Sequence, residues 1–496
     1  MRRSALPLAL LLLATGVSFG SPARAGSPAP KVLRDVQAGI HRLPVEPPQQ
    51  QDTAVEPSIT VNPRNPRNAV ALYQAGRVDA GCAQINGYAT TFDGGKTWTS
   101  GVLPKLTAVN GGPVPLASDP VVAFGPDNVV YANSLMCDGN FNDLAVSVST
   151  NGGRSWGPPI MVPTERTLPL DDKNWITVDN GTGPGHHPGR LYLVWDNIAP
   201  VVAMYSDDRA KTWNGPFVVY PGQGIGSVPL VMPNGDLAVV FQGLFPLPPL
   251  LTDGPIDPTD LTFPDKFVIA TAPMAGSLPT GAPLVFGPPT AIASYRGTDS
   301  RMHRAAENLP TAAVNPRTGR IHVAWSDNRF RTDVTNDIVI THSDDGGLTW
   351  TPPKRTHPAK PDDYVEHFTA AMETGKDGII RLMYRRQAQD AQLEDIPRHT
   401  PYVDTFYQQS RDDGKTFTKP LKVNTKIRTD IRFASYSRES AFLGDYNQIA
   451  VNGSWAYVIR TEAYRVSRRD EADWPPAVHH QRAWVAVVDS DGNGRP

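Results

Sequence analysis

Apolar and polar residues alternate along most of this chain in short runs, such as Leu144-Ala145-Val146-Ser147-Val148 and Ile338-Val339-Ile340-Thr341-His342. A period of two is the mark of a half-buried β-strand, whereas helical periodicity over more than about ten residues is hard to find beyond the N-terminus. The runs come in pairs, a first strand ending in a polar turn and a more apolar strand returning. The pairs are Glu56 to Pro63 with Asn68 to Tyr73, Pro120 to Phe124 with Val129 to Asn133, Trp175 to Val178 with Arg190 to Trp195, and Val228 to Met232 with Asp236 to Phe241. They continue with Thr311 to Val314 and Arg320 to Trp325, Thr369 to Met372 and Ile379 to Tyr384, and Gln448 to Val451 and Trp455 to Ile459. A repeat of this kind, in which no single unit buries both of its faces, points to sheets packed around an axis.

A second pattern follows many of the pairs. Thr91-Phe92-Asp93-Gly94-Gly95-Lys96-Thr97-Trp98 returns with its acid or amide at Asn151, Asp208, Asp345 and Asp412, in the frame hydroxyl, any, Asp/Asn, any, Gly, any, hydroxyl, aromatic. A short Asp or Asn side chain accepts from backbone N–H groups just ahead of it, and Gly supplies the left-handed conformation that such a turn needs. The copies are separated by 58, 57, 137 and 67 residues, so the long gap hides one repeat without a turn of this kind, around Val228 to Pro289. The last unit also lacks one and ends in Arg482 to Asp489 as a third strand.

This frame resembles the Asp-box (BNR) repeat of the sialidase-like β-propellers. The resemblance implies an all-β propeller of four-stranded antiparallel blades whose Asp-box hairpins lie away from the substrate, which makes Asp93, Asn151, Asp208, Asp345 and Asp412 structural. Seven blades are favoured by the strand pairs, with six, the number in sialidases, as the alternative. If the last blade has only three strands of its own, the segment near Val32 to Ile40 supplies the fourth and closes the ring.

The composition narrows the field. With 496 residues and a net charge of −2 the chain carries no basic stripe, so nucleic acid is not an expected partner. Its 49 prolines and 42 glycines suit short strands joined by tight turns. Met1-Arg2-Arg3, the apolar run Leu6 to Val17 and Ala23-Arg24-Ala25 read as a secretory signal cleaved after Ala25, which predicts a secreted or periplasmic protein. Residues 26–51 then form an N-terminal tail, 52–489 a single propeller domain and 490–496 a solvated C-terminal tail. No later stretch approaches about 20 apolar residues, so membrane insertion is not expected, and a monomer is. Cys82 and Cys137 lie 11 and 14 residues before the acid or amide of consecutive frames, in loops that neighbouring blades bring together, and a disulfide is predicted in an oxidising compartment.

Chemistry is expected where the inner strands begin, on the face opposite the repeated turns. Those positions carry Asp52 and Glu56, Asp119, Asp171-Asp172-Lys173, Glu307-Asn308, Glu366-His367 and Asp445-Tyr446. Carboxylates crowded around one axis raise some of their pKa values or draw in a cation. No cofactor is required, no metal ligand is assigned, and calcium is the ion that suits such oxygen donors. The ends of the second strands carry Arg329, Arg385 and Arg460, which are expected to converge with Glu307 on the substrate as a guanidinium clamp. Sialidases use an arginine triad, a tyrosine nucleophile assisted by a glutamate, and an aspartate acid/base. The resemblance therefore casts Glu56, Asp119, Asp445 and Tyr446 as catalytic, with Tyr436 near Glu439 as another nucleophile and helper. It also departs from the family, because Val55-Glu56-Pro57-Ser58-Ile59 has no arginine where the first family arginine stands.

His186-His187 reads as a flexible exposed turn, and the proline-rich Leu244 to Pro264 as a long loop that either arches over one face, as functional loops do, or is a plain insertion. The function expected is glycan recognition, with hydrolysis of an acidic sugar in the manner of an exo-sialidase; the alternative is a non-catalytic propeller that binds a protein or polysaccharide.

Overall fold

The structure, a computed structural model, describes residues 29–139, 142–164, 171–197, 199–244, 266–297, 309–388, 401–438, 440–465 and 479–495. The predicted signal segment, nearly all of the proline-rich loop, Glu307 and Glu439 lie outside the described residues.

Antiparallel sheets account for almost all of the regular structure. Four sheets have four strands; a fifth has four plus a short added strand, Thr429–Asp430; and a sixth has eight strands. The eight-stranded sheet is two four-stranded units joined by one residue pair, Ala83 with Ala117, so the described residues hold seven four-stranded units. Numbered along the chain, their inner strands are Ala54–Val61, Leu116–Phe124, Asp171–Val178, Gly224–Val231, Thr311–Val314, Val365–Thr374 and Ile449–Asn452. Each unit packs on the next, and the seventh packs back on the first. The fold is an all-β propeller. The outermost strand of the seventh unit is Lys31–Gly39, which pairs antiparallel with Gln481–Asp489, so the first and last described strands share one sheet.

The hydrophobic core is accordingly a set of layers between sheets. One joins Trp455, Tyr457 and Val487 of the seventh unit to Val70 and Leu72 of the first, and another joins Leu193 and Trp195 of the third unit to Val146 of the second. Full burial of one such aliphatic side chain contributes about 1.5–3 kcal/mol, which is why the alternation along the strands decides which faces meet.

The repeated turns are built alike. The first hydroxyl of each frame, on Thr91, Ser149, Ser206, Ser343 or Ser410, accepts the N–H four residues on at 2.8–3.0 Å and donates to the acid or amide. The acid or amide accepts the N–H of the second hydroxyl residue, as Asp93 does from Thr97 at 3.0 Å. Gly153 shows why the frame holds a glycine: φ is +88° and a Cβ there would lie 2.5 Å from Val70 Cγ2 of the preceding sheet. These turns stand at the outer ends of the third strands, and the antiparallel order places them at the opposite end of the sheets from the starts of the inner strands.

Candidate functional site

At the starts of the inner strands the backbone does the same unusual thing five times. The ladder shifts register between Val55 and Ser58, Ser118 and Val121, Asp172 and Trp175, Ile225 and Val228, and Phe368 and Ala371. Within each shift stands a residue with positive φ: Glu56 at +49°, Asp119 at +40°, Lys173 at +40°, Gly226 at +73° and Thr369 at +47°. A bulge re-aims a side chain, and non-glycine residues held in the left-handed region gather where function rather than stability dictates conformation.

The bulges bring the acidic groups together. Glu56 is buried; its Oε2 accepts from Gln74 Nε2, and its Oε1 accepts the Asp445 N–H at 3.4 Å. Gln74 Nε2 also donates to Ser118 Oγ at 2.8 Å, which donates to Asp119 Oδ1 at 2.8 Å. Burial first, and then the charges of Asp119 and Asp445, push the Glu56 carboxyl well above the usual carboxylate range. Asp172 is open to solvent although protein surrounds it on nearly every side, and burial followed by the Asp119 charge pushes it up to about 6. Asp196 is raised well above its usual value by burial and then by Asp172.

Lys173 and Tyr446 complete the group. The ammonium lies 3.5 Å from the centre of the Tyr446 ring and 4.9 Å from that of Trp175, and the Trp175 and Tyr446 rings meet edge to face at 5.7 Å. The phenol of Tyr446 is pushed up by burial and then by Asp119 and Glu56. Several buried polar atoms here have no hydrogen-bond partner: Lys173 Nζ, Asn174 Oδ1, Asp196 Oδ2, Thr369 Oγ1, Tyr446 OH and both side-chain polar atoms of Asn447. Buried polar atoms are nearly always satisfied, so these have room for oxygen and nitrogen atoms from outside the chain, water included.

Beneath the group runs the central channel, a cavity of about 620 Å³ whose wall includes Val122, Val178, Leu230, Ala312 and Met372, with Lys173, Trp175, Asp445 and Tyr446 at one end. Its volume falls in the range of small-molecule sites. Glu373 reaches into this wall without a hydrogen bond or ion pair among the described residues, and burial pushes its carboxyl up to about 7.

Of the residues singled out from the sequence, Glu56, Asp119, Asp445 and Tyr446 therefore meet. The arginines do not. Arg460 is fully buried in ion pairs with Asp35 and Glu462, and Arg385 is buried with its Nη2 donating to Thr461 O and Oγ1 at 3.1 Å. Arg329 turns to the outer wall, bonded to Asp327 and to Ser294 O, beside Trp350 and Pro352. The expected clamp is corrected on this ground: side chains at matching places in successive sheets were taken by carboxylates and carbonyls inside or between those sheets. Lys173 and Asp172 were recognised only as members of the ring of strand starts; what could have set them apart is a charged pair placed two residues before an aromatic at the head of an otherwise apolar strand.

Elsewhere, His186 is held rather than flexible, its Nδ1 2.8 Å from Asp179 Oδ1 and its Nε2 3.0 Å from Pro233 O. Ser490, assigned to a solvated tail, is buried and accepts from Arg381 Nε at 2.8 Å. Cys82 and Cys137 are joined in a disulfide. No helix among the described residues is long and apolar enough to cross a membrane.

No family model matches the chain, and no curated protein matches it. Among solved structures it is similar to the Hadza microbial sialidase Hz136, with 14% identity over 67% of this chain and 63% of that one and a TM-score of 0.43. It is similar to the Penicillium chrysogenum alpha-L-arabinanase complexed with arabinobiose, with 10% identity over 94% and 99% of the two chains and a TM-score of 0.45. A PL25 ulvan lyase, of the polysaccharide lyases, aligns at 10% identity over 92% and 96% with a TM-score of 0.47.

Proposed function

We propose that this is an exported Asp-box propeller of the sialidase-like kind that recognises a glycan at the bulged end of its channel and hydrolyses a glycosidic bond there. The observation that carries the reading is the meeting of Asp172, Asp445, Tyr446 and Lys173 around one set of unpartnered polar atoms at the channel end. Glycoside hydrolysis needs one carboxyl that keeps its proton near neutral pH and a second group that stays ionised or attacks. Asp172, pushed up to about 6 and open to solvent, is the acid; Asp445, facing the cavity, is the second carboxyl. Tyr446 is the nucleophile only if a base takes its proton, and Asp119 and Glu56 are the carboxyls whose charges bear on it. Lys173 offers its three N–H donors to a sugar hydroxyl or carboxylate, the part first given to the arginines. The disulfide fits an oxidising compartment, and with it the secretory signal read at residues 1–25.

A screen of the purified protein against fluorogenic glycosides, neutral and acidic, tests the reading. Turnover is expected to fall by about 100-fold or more in Asp172→Asn and Asp445→Asn, and to decline as pH rises through about 6, where the acid loses its proton. No turnover on any glycoside removes hydrolysis. The second reading, a propeller that binds a glycan without cleaving it, is favoured by the aromatic pair of Trp175 and Tyr446 that lines the channel end. Glycan binding without turnover, weakened in Lys173→Met, would establish it.

A further inference from the structure

Where the ring closes, at the end of the sheets that carries the repeated turns, the first and seventh units enclose a second pocket of about 370 Å³. The seventh unit contributes Arg34 from the strand Lys31–Gly39, Trp455 from the strand Trp455–Ala463, and Arg495 from the segment after Gln481–Asp489. The first unit adds Arg67, from the turn before Ala69–Arg77, and Asp93 and Lys96 from the first repeated turn.

Four of these side chains are cations, and little in the protein answers them. Arg34 donates through Nη1 to Gly94 O at 3.0 Å, and its guanidinium lies 5.1 Å from the centre of the Trp455 ring; neither partner carries a charge. The side chains of Arg67, Lys96 and Arg495 are exposed and make no hydrogen bond or ion pair among the described residues. The carboxylate in the lining, Asp93, is spent on its own turn. Its Oδ1 accepts from Thr91 Oγ1, Lys96 N and Thr97 N at 2.8, 2.9 and 3.0 Å, and its Oδ2 from Thr97 Oγ1 at 2.6 Å.

A second feature points to a ligand independently of charge. Trp455 is buried, its side chain forms part of the pocket wall, and its indole N–H has no hydrogen-bond partner. A Cβ on Gly94 would lie 2.5 Å from Trp455 Cζ3, so the first turn rests directly on the ring and holds it in place. Indole, guanidinium and ammonium groups are donors only, so the whole set calls for acceptor oxygens.

We infer that this pocket binds a sulfate or phosphate oxyanion across the seam between the first and seventh units. Guanidinium forks match the paired oxygens of such a group, and Lys96 adds a point charge. The volume lies in the range of small-molecule sites, which favours an ester of a sugar over the bare ion. The site stands at the opposite end of the sheets from the bulged strand starts and does not depend on any glycosidase activity.

Isothermal titration calorimetry of the purified protein, near neutral pH and at low salt, tests the inference with sodium sulfate, sodium phosphate, a glucose sulfate ester, a glucose phosphate ester and glucose. The esters are expected to bind and glucose is not, and the affinity should fall as salt is added. Arg67→Ser and Lys96→Ser, whose side chains hold nothing in the fold, are expected to weaken ester binding about tenfold each. Lys419→Ser, at an exposed lysine of the sixth unit, should leave it unchanged. Inorganic sulfate or phosphate binding as tightly as the esters, with the same loss in the two variants, would support the oxyanion site and name the free ion as its ligand. Wild-type protein that binds none of the four anions overturns the inference, as does binding that survives undiminished when Arg67→Ser and Lys96→Ser are combined.

Discussion

Lys173 and Tyr446 belong to the third and seventh units, which are not neighbours in the ring, yet the ammonium of one lies 3.5 Å from the ring centre of the other. The contact is possible because both side chains leave the heads of their strands toward the axis, Lys173 from a left-handed bulge. A cation over an aromatic face gains roughly 0.5–2 kcal/mol, well short of satisfying a buried ammonium that has no hydrogen bond.

Lys173 also lowers the pKa of Asp172, against burial and the Asp119 charge, which raise it. Replacing it with methionine removes the positive charge and leaves the acids. The titration of Asp172, followed by carboxyl NMR, is expected to move upward by roughly one unit. A downward shift would show that the two groups do not face each other.

Glu373 supplies a pH dependence of stability away from the proposed chemistry. Its carboxyl is raised from 4.5 to about 7 by burial, so the folded state holds the proton more tightly than the unfolded chain does. Stability from this group is therefore greatest below pH 4.5 and falls as pH rises toward 7. Glu373→Gln is expected to flatten that slope. Urea midpoints at acidic and at mildly alkaline pH, compared between the two proteins, check it.

Arg460 is expected to matter for folding and not for ligand affinity. It is fully buried between Asp35, on the strand that brings the N-terminal segment into the last sheet, and Glu462. Arg460→Ala leaves two buried carboxylates without their cation, a loss of about 3–5 kcal/mol. Denaturant unfolding measures it, and any remaining folded fraction should bind ligand with unchanged affinity.

The disulfide closes a loop of 55 residues and bridges the first and second units near the Ala83–Ala117 pair. Cys82→Ser with Cys137→Ser is expected to cost about 3–4 kcal/mol by releasing chain entropy in the unfolded state. Thermal unfolding with and without reductant gives the same comparison without mutation.

At Asp93 the expected loss is smaller, about 1–2 kcal/mol for Asp93→Ala, since the carboxylate accepts from Lys96 N, Thr97 N and Thr97 Oγ1 in a half-exposed turn. The hydrolysis proposed at the far end of the channel should not change. A collapse of activity without loss of fold would place the turn in the site.

The strands and the repeated turns were legible because they are local. Alternation decides which face of a strand is buried, and the hydrogen bonds of the Asp93 turn close within eight residues, so eight residues suffice to specify them. The same reasoning failed for Arg460 and Arg385, which share a place in the sequence pattern with Arg329: Arg460 pairs with Asp35 and Glu462 inside the last sheet, and Arg385 reaches across to Thr461 of that sheet. Nor could sequence alone bring Lys173 to Tyr446. A bulge adds one residue and redirects the next side chain, and no local signal marks it, so only closure of the ring decided which charges meet at the axis and which are spent inside its walls.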